Sequence, residues 1–214
     1  MVEAGWSRQV KRFAWLMAAA LCALPQFYIN AYASSGEARR YLSRYEVIPP
    51  TASRVVVCHG FGCKFKTVVG LNGGDIQTLR RILAKGARSA QAEVSAVADA
   101  VSWFERRIGA ITGTNRRTPR AGPDQSGLRS EADCIDESVN TTALLILISD
   151  LRLLRHHEVD GPASRGYLVD FRYPHATAVI RDVQTGALWA IDPWTKSNGQ
   201  RPDTLPLERW MRGS

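Results

Sequence analysis

The feature that most constrains the fold is the apolar run at residues 141–154, TTALLILISDLRLL. A helix that is apolar on nearly every side is buried rather than exposed, so the run predicts a helix in the core of the protein. Ser130 precedes Asp133 by the spacing of a capping box, which predicts that the helix begins close to these two residues.

The stretch before this helix is predicted to contain a hairpin, two helices and a long loop. Residues 54–58 and 65–69 have the composition of paired strands. Apolar residues recur at helical spacing from 75 to 111, and Gly86 is expected to divide them into two helices. Residues 112–128 lack periodicity and are rich in Gly, Pro, Arg and Thr, which is typical of a surface loop; loops this long are often functional.

The stretch after the helix is predicted to form an antiparallel sheet. Strand patterns lie at 166–171, 176–181 and 187–191, and Thr185-Gly186 is a turn signal between the last two. The apolar residues of the C-terminal tail, Leu205, Leu207 and Trp210, predict a short amphipathic helix there. Helices followed by an antiparallel sheet are the order expected of an α+β domain.

The N-terminus has the layout of a secretory signal peptide. Basic residues precede an apolar run at 13–24, and Ala31-Tyr32-Ala33 offers a cleavage site. An uncleaved anchor is the alternative, but polar residues and a proline interrupt the run short of the ~20 residues that a spanning helix needs. We therefore expect residues 1–33 to be removed and 34–214 to form a periplasmic or secreted domain without a stable membrane span.

The chain carries a formal net charge of +8. Such a charge accompanies nucleic-acid binding, affinity for an anionic surface, or solubility alone. Because no aromatic-interleaved basic patch or zinc-finger spacing is present, nucleic acid is not an expected partner. The densest basic cluster, Arg116, Arg117 and Arg120, falls in the predicted loop and is interpreted as a solvated face, with contact to cell wall or anionic lipid as the second interpretation.

The cysteines divide into a pair and a single thiol. Of the four cysteines, Cys22 falls in the predicted signal peptide. Cys58 and Cys63 flank a glycine-containing turn that can bring their Cα atoms within bridging range, so a disulfide is expected in an oxidising compartment. The alternatives are a metal site with His59, which would want a fourth ligand, and a redox pair, which favours a shorter spacer. Cys134 is left as the unpaired thiol.

Cys134 lies in the first turn of the predicted buried helix. Backbone N–H groups and the helix dipole stabilise a thiolate at that position. The acidic neighbours Asp133, Asp136 and Glu137 oppose this by raising the thiol pKa, so an imidazolium partner would be needed.

His175 and Asp192 lie on the two strands of the predicted C-terminal hairpin. His175 opens one strand and Asp192 ends its partner, so the two side chains are expected to lie opposite each other. The carboxylate would fix the imidazole tautomer, and with Cys134 the three residues would form a nucleophile, a base and an orienting group. Taken singly, they are equally compatible with a buried cysteine, a sheet histidine and a turn aspartate. Their order and placement together favour a catalytic triad.

These motifs resemble the transglutaminase-like superfamily, including its bacterial cysteine-proteinase members. The resemblance rests on a helix opening on Cys134, on Pro174-His175-Ala176 entering a strand, and on a strand ending in Ile191-Asp192-Pro193, within roughly residues 125–195. It implies a papain-like core, in which helices precede a nucleophile helix packed on a C-terminal antiparallel sheet. It also implies thiol chemistry on an amide, as in a cysteine peptidase, an amidase or a transamidase.

The resemblance divides the domain into an N-terminal helical part with its loop, 34–128, and a catalytic core, 129–214. The backbone N–H of Cys134 and the side chain of Gln125 are the candidate oxyanion donors. The expected substrate is a peptide or protein, with cell-wall peptide as one candidate, and no cofactor or metal is expected. The alternative is a non-catalytic module of the same kind that binds a peptide or an envelope partner, which the acidic neighbours of Cys134 motivate.

Overall fold

The computed structural model describes residues 25–166 and 174–213, with side chains from Ser35 onward. Within those ranges the chain forms five α-helices and two antiparallel sheets. The helices are α1 (Pro25–Arg44), α2 (Gly73–Ala84), α3 (Ala90–Thr112), α4 (Cys134–Asp150) and α5 (Leu207–Met211). The strands are β1 (Arg54–His59), β2 (Phe65–Gly70), β3 (His157–Arg165), β4 (His175–Asp182), β5 (Leu188–Asp192) and β6 (Asp203–Pro206).

Helix α4 is the buried helix that the apolar run predicts, since every residue from Leu144 to Ile148 is at most 1% exposed. Its capping box is not the predicted one. Asp133 is the N-cap and accepts the Asp136 N–H at 2.9 Å, while the Asp136 carboxylate accepts the Asp133 N–H at 3.1 Å. The box at Ser130 is wrong because residues 128–131 close a separate turn, in which Glu131 N–H donates to Leu128 O at 3.1 Å.

The small sheet is the predicted hairpin of β1 and β2, paired from Arg54 with Gly70 to His59 with Phe65. A disulfide joins Cys58 to Cys63 across its turn, as the cysteine spacing predicts. All four residues from Gly60 to Cys63 have positive φ, between 62° and 83°. Because only glycine adopts this region readily, the turn is a strained conformation that its neighbours must hold.

The large sheet has the order β3-β4-β5-β6 and is antiparallel throughout. Strands β4 and β5 confirm two of the three predicted C-terminal strands. The strand predicted at 166–171 is not found at Gly166, and its remaining residues lie outside the described ranges. The sheet instead begins with β3, in which a bulge between Asp160 and Ala163 breaks the alternation that would have revealed it.

The tail contains a strand as well as a helix. Leu205 lies in β6, which pairs with β5, and only Leu207–Met211 is helical. The prediction of one amphipathic helix through Leu205 is therefore wrong, because a four-residue edge strand is too short to show a period in sequence.

Helix α4 packs on β4 of the large sheet and on β1 of the hairpin, and α3 packs on α2. The α+β class predicted from the order of elements is confirmed. Residues 34–214 belong to one compact unit, and the loop between α3 and α4 contains two single 3₁₀ turns, Thr114–Arg116 and Pro123–Gln125.

The predicted signal segment, residues 1–33, lies mostly outside the described residues, which begin at Pro25. Among the helices that are described, none has both the length and the apolar character needed to cross a membrane.

Candidate active site

The three predicted site residues lie at the ends of elements that pack together. Cys134 is the first residue of α4, His175 the first of β4 and Asp192 the last of β5. The Cys134 thiol donates to the carbonyl of Pro174 at 3.7 Å, and it also accepts from the backbone N–H of Ala176. The sulfur is thus held by the peptide groups on both sides of His175.

His175 and Asp192 form a buried hydrogen bond between Nε2 and Oδ2 at 2.5 Å, with side chains 4% and 3% exposed. The predicted direct opposition is wrong by two positions, because Ala178 pairs with Ile191 and the turn extends from Asp182 to Ala187. Side chains alternate along a strand, so a two-residue offset keeps both on one face as diagonal neighbours.

The hydrogen bonds at Asp192 assign the proton on His175. Trp210 Nε1 also donates to Asp192 Oδ2, at 2.8 Å. Because an indole N–H can only donate, Oδ2 is an acceptor, and His175 Nε2 must carry the proton that bonds to it. The neutral ring then has its lone pair at Nδ1, which is buried and makes no hydrogen bond to the described residues. An imidazole held in this tautomer is a base.

Two tryptophans that the sequence did not point to contact the imidazole. The ring centroids of Trp194 and Trp210 lie 4.5 Å and 5.1 Å from that of His175. Trp194 follows Asp192 by two residues, which is the one sequence signal for it, whereas Trp210 comes from α5 at the end of the chain. Both rings shield the imidazole–carboxylate hydrogen bond from water, which strengthens it.

The Cys134 thiol is protonated at neutral pH in this arrangement. Burial raises the pKa of Cys134 to about 12, and the carboxylates of Asp133 and Asp192 act in the same direction against the N–H of Ala176. Of the acidic neighbours named from the sequence, Asp133 has the predicted effect on the thiol pKa. A base must remove the proton as the sulfur attacks, because little thiolate exists beforehand.

The acidic residues beside Cys134 hold the disulfide turn. Asp136 accepts the N–H groups of Phe61 and Cys63, each at 2.7 Å, and Asp133 accepts that of Gly62 at 3.1 Å. Burial and the charge of Asp133 raise the pKa of Asp136 to about 7 against these hydrogen bonds. The positive-φ turn therefore joins the β1–β2 hairpin to the start of α4.

Arg117 joins both sides of the site from within. Its side chain is 1% exposed and lies 3.0 Å from Glu105 and 2.7 Å from Glu137, which is one turn beyond Cys134 on α4. Nη2 also donates to the carbonyl of Pro193, the residue after Asp192, at 3.2 Å. The interpretation of this cluster as a solvated face is wrong for Arg117, because the guanidinium is buried against carboxylates; Arg116 and Arg120 are exposed.

Two cavities meet at His175. One, of about 300 Å³, is lined by Cys134, Ile135, Pro174 and His175 among others. The other, of about 480 Å³, is lined by His175 and Asp192 together with tryptophan and arginine side chains. A substrate that reaches the thiol through the first cavity would also meet the imidazole and the start of α4.

The candidate oxyanion donors differ in their surroundings. The N–H groups of Cys134 and Ile135 belong to the first turn of α4, where no helical acceptor exists, and both residues line the thiol cavity. Gln125 Nε2 instead donates to Thr118 Oγ1 at 3.1 Å, and Gln125 is not part of that cavity's lining. A role for Gln125 stays a prediction.

His59 and the cysteine pair make structural contacts. His59 bonds Arg129 O and Thr67 Oγ1 through its two ring nitrogens, at 2.8 Å and 2.9 Å. Within the described ranges, Cys58, Cys63 and Asp136 bring potential metal-ligand atoms within 4.8 Å of one another. The two sulfurs are joined in the disulfide, however, and so cannot supply the thiolates that a metal would need.

The chain was compared with protein-family models, with curated proteins and with solved structures, and none of the three comparisons found a match. The resemblance to the transglutaminase-like superfamily stays a prediction from the motifs around Cys134, His175 and Asp192.

Proposed function

We propose that the protein is a thiol enzyme that uses Cys134, His175 and Asp192 on peptide or isopeptide amides, with a papain-like core of the transglutaminase-like kind. One observation carries the proposal. Asp192 holds the imidazole of His175, whose Nδ1 has no hydrogen-bond partner among the described residues, while the peptide groups flanking the same histidine hold the Cys134 sulfur. A nucleophile, a base and an orienting carboxylate are the parts that acyl transfer requires.

The first half of the reaction forms a thioester. As the sulfur attacks the carbonyl carbon, His175 Nδ1 takes the thiol proton and the carbonyl electron pair moves to oxygen. The N–H groups at the start of α4 and the helix dipole stabilise that oxyanion. The C–N bond then breaks, and the proton on Nδ1 passes to the leaving nitrogen. Asp192 remains ionised and stabilises the imidazolium in between.

The second half releases the acyl group. Water or an amine attacks the thioester and gives a proton to His175 Nδ1, and the C–S bond breaks. Cys134 recovers its proton from the imidazolium as the product acid or amide departs. Peptidase, amidase and transamidase activities differ only in the acceptor, so the same three residues serve each of them.

Alkylation of Cys134 by iodoacetamide tests the proposal. Labelling is measured from pH 5 to 9 without reductant and assigned to Cys134 by peptide mass spectrometry. We expect His175→Ala to slow labelling at pH 7 by about 10²-fold or more, the usual size of general-base assistance. His156→Ala is the matched control, because His156 bonds the carbonyl of Ala87 and lines neither cavity.

A non-catalytic peptide-binding module is the second candidate. It is favoured by the pKa of about 12 that burial gives Cys134 and by the thiol's hydrogen bond to Pro174. An unassisted thiol of that pKa would label about tenfold faster with each pH unit up to pH 9, because the thiolate fraction rises in that proportion. Such a profile, unchanged in His175→Ala, would reject the enzyme in favour of the module.

A further inference from the structure

The larger cavity at His175 combines arginines, carboxylates and aromatic walls. Arg120 and Arg165 line it together with Trp194 and Trp210. His175 and Asp192 belong to the wall that it shares with the proposed catalytic residues, and Asp203 is the second carboxylate of its lining. Its volume of about 480 Å³ is that of a pocket for a small ligand or for a residue or two of peptide.

The two carboxylates that line this cavity differ in how far they are partnered. Asp192 accepts from His175 and Trp210 through Oδ2, whereas its Oδ1 is buried without a hydrogen bond to the described residues. Asp203 lies 2.8 Å from Lys196 and accepts from Thr195 Oγ1 at 2.6 Å. Its pKa is lowered, despite burial, by Lys196 and Thr195 and then by the charge of Arg120. Lys196 forms the ion pair with Asp203, whereas Arg120 acts on that carboxylate through its charge without an ion pair to it.

Both arginines are anchored by the tryptophans of the same cavity. The Arg165 guanidinium lies over the Trp210 ring, 4.5 Å from its centroid, and donates to the Trp210 carbonyl. Arg120 has a φ of 55°, uncommon for a residue with a side chain, and its backbone N–H donates to the Trp194 carbonyl at 2.9 Å. The Arg165 guanidinium and the main chain of Arg120 are therefore fixed at the cavity, which partly preorganises it for an anion.

We propose that this cavity binds a carboxylate of the substrate on the leaving-group side of the scissile amide. The assignment to the leaving-group side rests on the proposed function. Cys134 lines the smaller cavity, so the acyl carbon of the substrate lies there. The imidazole gives its proton to the leaving nitrogen, and the peptide chain attached to that nitrogen continues past His175 into the larger cavity. Arginine guanidinium groups recognise carboxylates through paired hydrogen bonds, and the tryptophan faces accept an apolar side chain. A peptide C-terminus is the expected ligand.

Binding of small peptides to the full chain carrying Cys134→Ala tests this, since that variant cannot turn substrate over. The probes are acetyl-alanyl-alanine, the same compound as its C-terminal amide, and acetyl-alanyl-glutamate with its α-carboxyl amidated. The readout is the indole N–H resonances of Trp194 and Trp210 in ¹⁵N-labelled protein, assigned with Trp194→Phe and Trp210→Phe.

We expect acetyl-alanyl-alanine to shift both indole resonances saturably and to bind at least about tenfold more tightly than its amide, as a charge-assisted pair should. Tighter binding of the glutamate probe would instead identify an acidic side chain as the source of the carboxylate. Arg120→Gln should weaken binding about tenfold or more. Arg116→Gln, an exposed arginine of the same loop outside the lining of this cavity, should leave it unchanged.

Equal affinity for the acid and the amide, an unchanged affinity in Arg120→Gln, or no saturable shift at either tryptophan would overturn the proposal. Arg120→Lys keeps the charge but lacks the planar guanidinium, so its affinity for acetyl-alanyl-alanine should lie between those of wild type and Arg120→Gln. Because binding is read without turnover, a negative alkylation result leaves this test intact. If the peptide acid binds but alkylation of Cys134 does not depend on His175, the cavity is still an anion site. Only its assignment to the leaving-group side of the substrate is then wrong.

Discussion

A single oxygen of Asp192 organises the site at the scale of residues. Oδ2 accepts from both His175 Nε2 and Trp210 Nε1, so its role as an acceptor is fixed by a group that can only donate. That fixed role keeps the proton on Nε2 and the lone pair on Nδ1. The tryptophan is thus part of the reason that the lone pair of His175 lies at Nδ1.

Asp192→Asn should reverse this arrangement. An asparagine amide can donate to Nε2, which moves the ring proton to Nδ1 and removes the base. We expect the rate of Cys134 alkylation at pH 7 to fall by about 10²-fold or more. Trp210→Phe removes a donor but leaves the carboxylate, so it should lower the alkylation rate much less. Equal labelling rates in Asp192→Asn and wild type would contradict the tautomer assignment.

Sequence order was enough to single out Cys134, His175 and Asp192, because element ends and cysteine pairing are local signals. It was not enough for Trp210, which reaches His175 from the end of the chain, or for Arg117. The burial of Arg117 depends on two glutamates that lie on separate helices, and nothing in the loop sequence distinguishes it from its exposed neighbours. The two-residue offset between His175 and Asp192 was also missed, since it follows from the length of the turn.

At the scale of elements, the start of α4 is held from two directions. The disulfide turn donates to Asp133 and Asp136, and Arg117 bridges Glu137 to α3 and to the segment after β5. The elements themselves were largely predictable: the hairpin, α4, β4 and β5 have strong local patterns. Strands β3 and β6 were not, because a bulge interrupts one and the other has only four residues.

The Arg117 cluster makes a prediction with an internal control. Two glutamates face one arginine, and burial with the charge of the nearby Glu105 raises the pKa of Glu137 well above its usual range. Arg117→Met should lower the free energy of unfolding by about 3–5 kcal/mol, because it leaves a buried carboxylate without its partner. Glu137→Gln, which resembles the protonated acid, should cost far less. Urea unfolding measures the loss of stability in both variants, and a larger loss in Glu137→Gln would contradict the raised pKa of Glu137.

For the whole molecule, the buried carboxyl groups set how stability depends on pH. Burial and Asp133 raise the pKa of Asp136 to about 7, and Glu137 is shifted in the same direction. A group whose pKa is raised by folding binds more protons in the folded state than in the unfolded state. Stability therefore falls as the pH rises from the pKa of the unfolded state to that of the folded state. Asp75 and Asp203 have lowered pKa values through their cationic partners, which outweigh burial, and act oppositely at lower pH.

We therefore expect the free energy of unfolding to be greatest in mildly acidic solution and to fall between about pH 4 and pH 7. Each such group contributes at most about 1.4 kcal/mol per pH unit. Urea unfolding at several pH values measures the slope. Asp136→Asn should reduce the slope of the unfolding free energy against pH, whether or not the substitution changes the absolute stability. A stability that rises from pH 5 to pH 7 would rule out protonated carboxyl groups at the start of α4.

The short span of the disulfide has a consequence for how the chain matures. Cys58 and Cys63 are five residues apart, whereas Cys134 lies far along the chain from both. Loop-closure entropy favours the nearer partner in an unfolded chain, so we expect oxidation to join these two cysteines more readily than to join either of them to Cys134. Such a preference would steer oxidative folding away from mixed disulfides and leave the thiol at the start of α4 reduced.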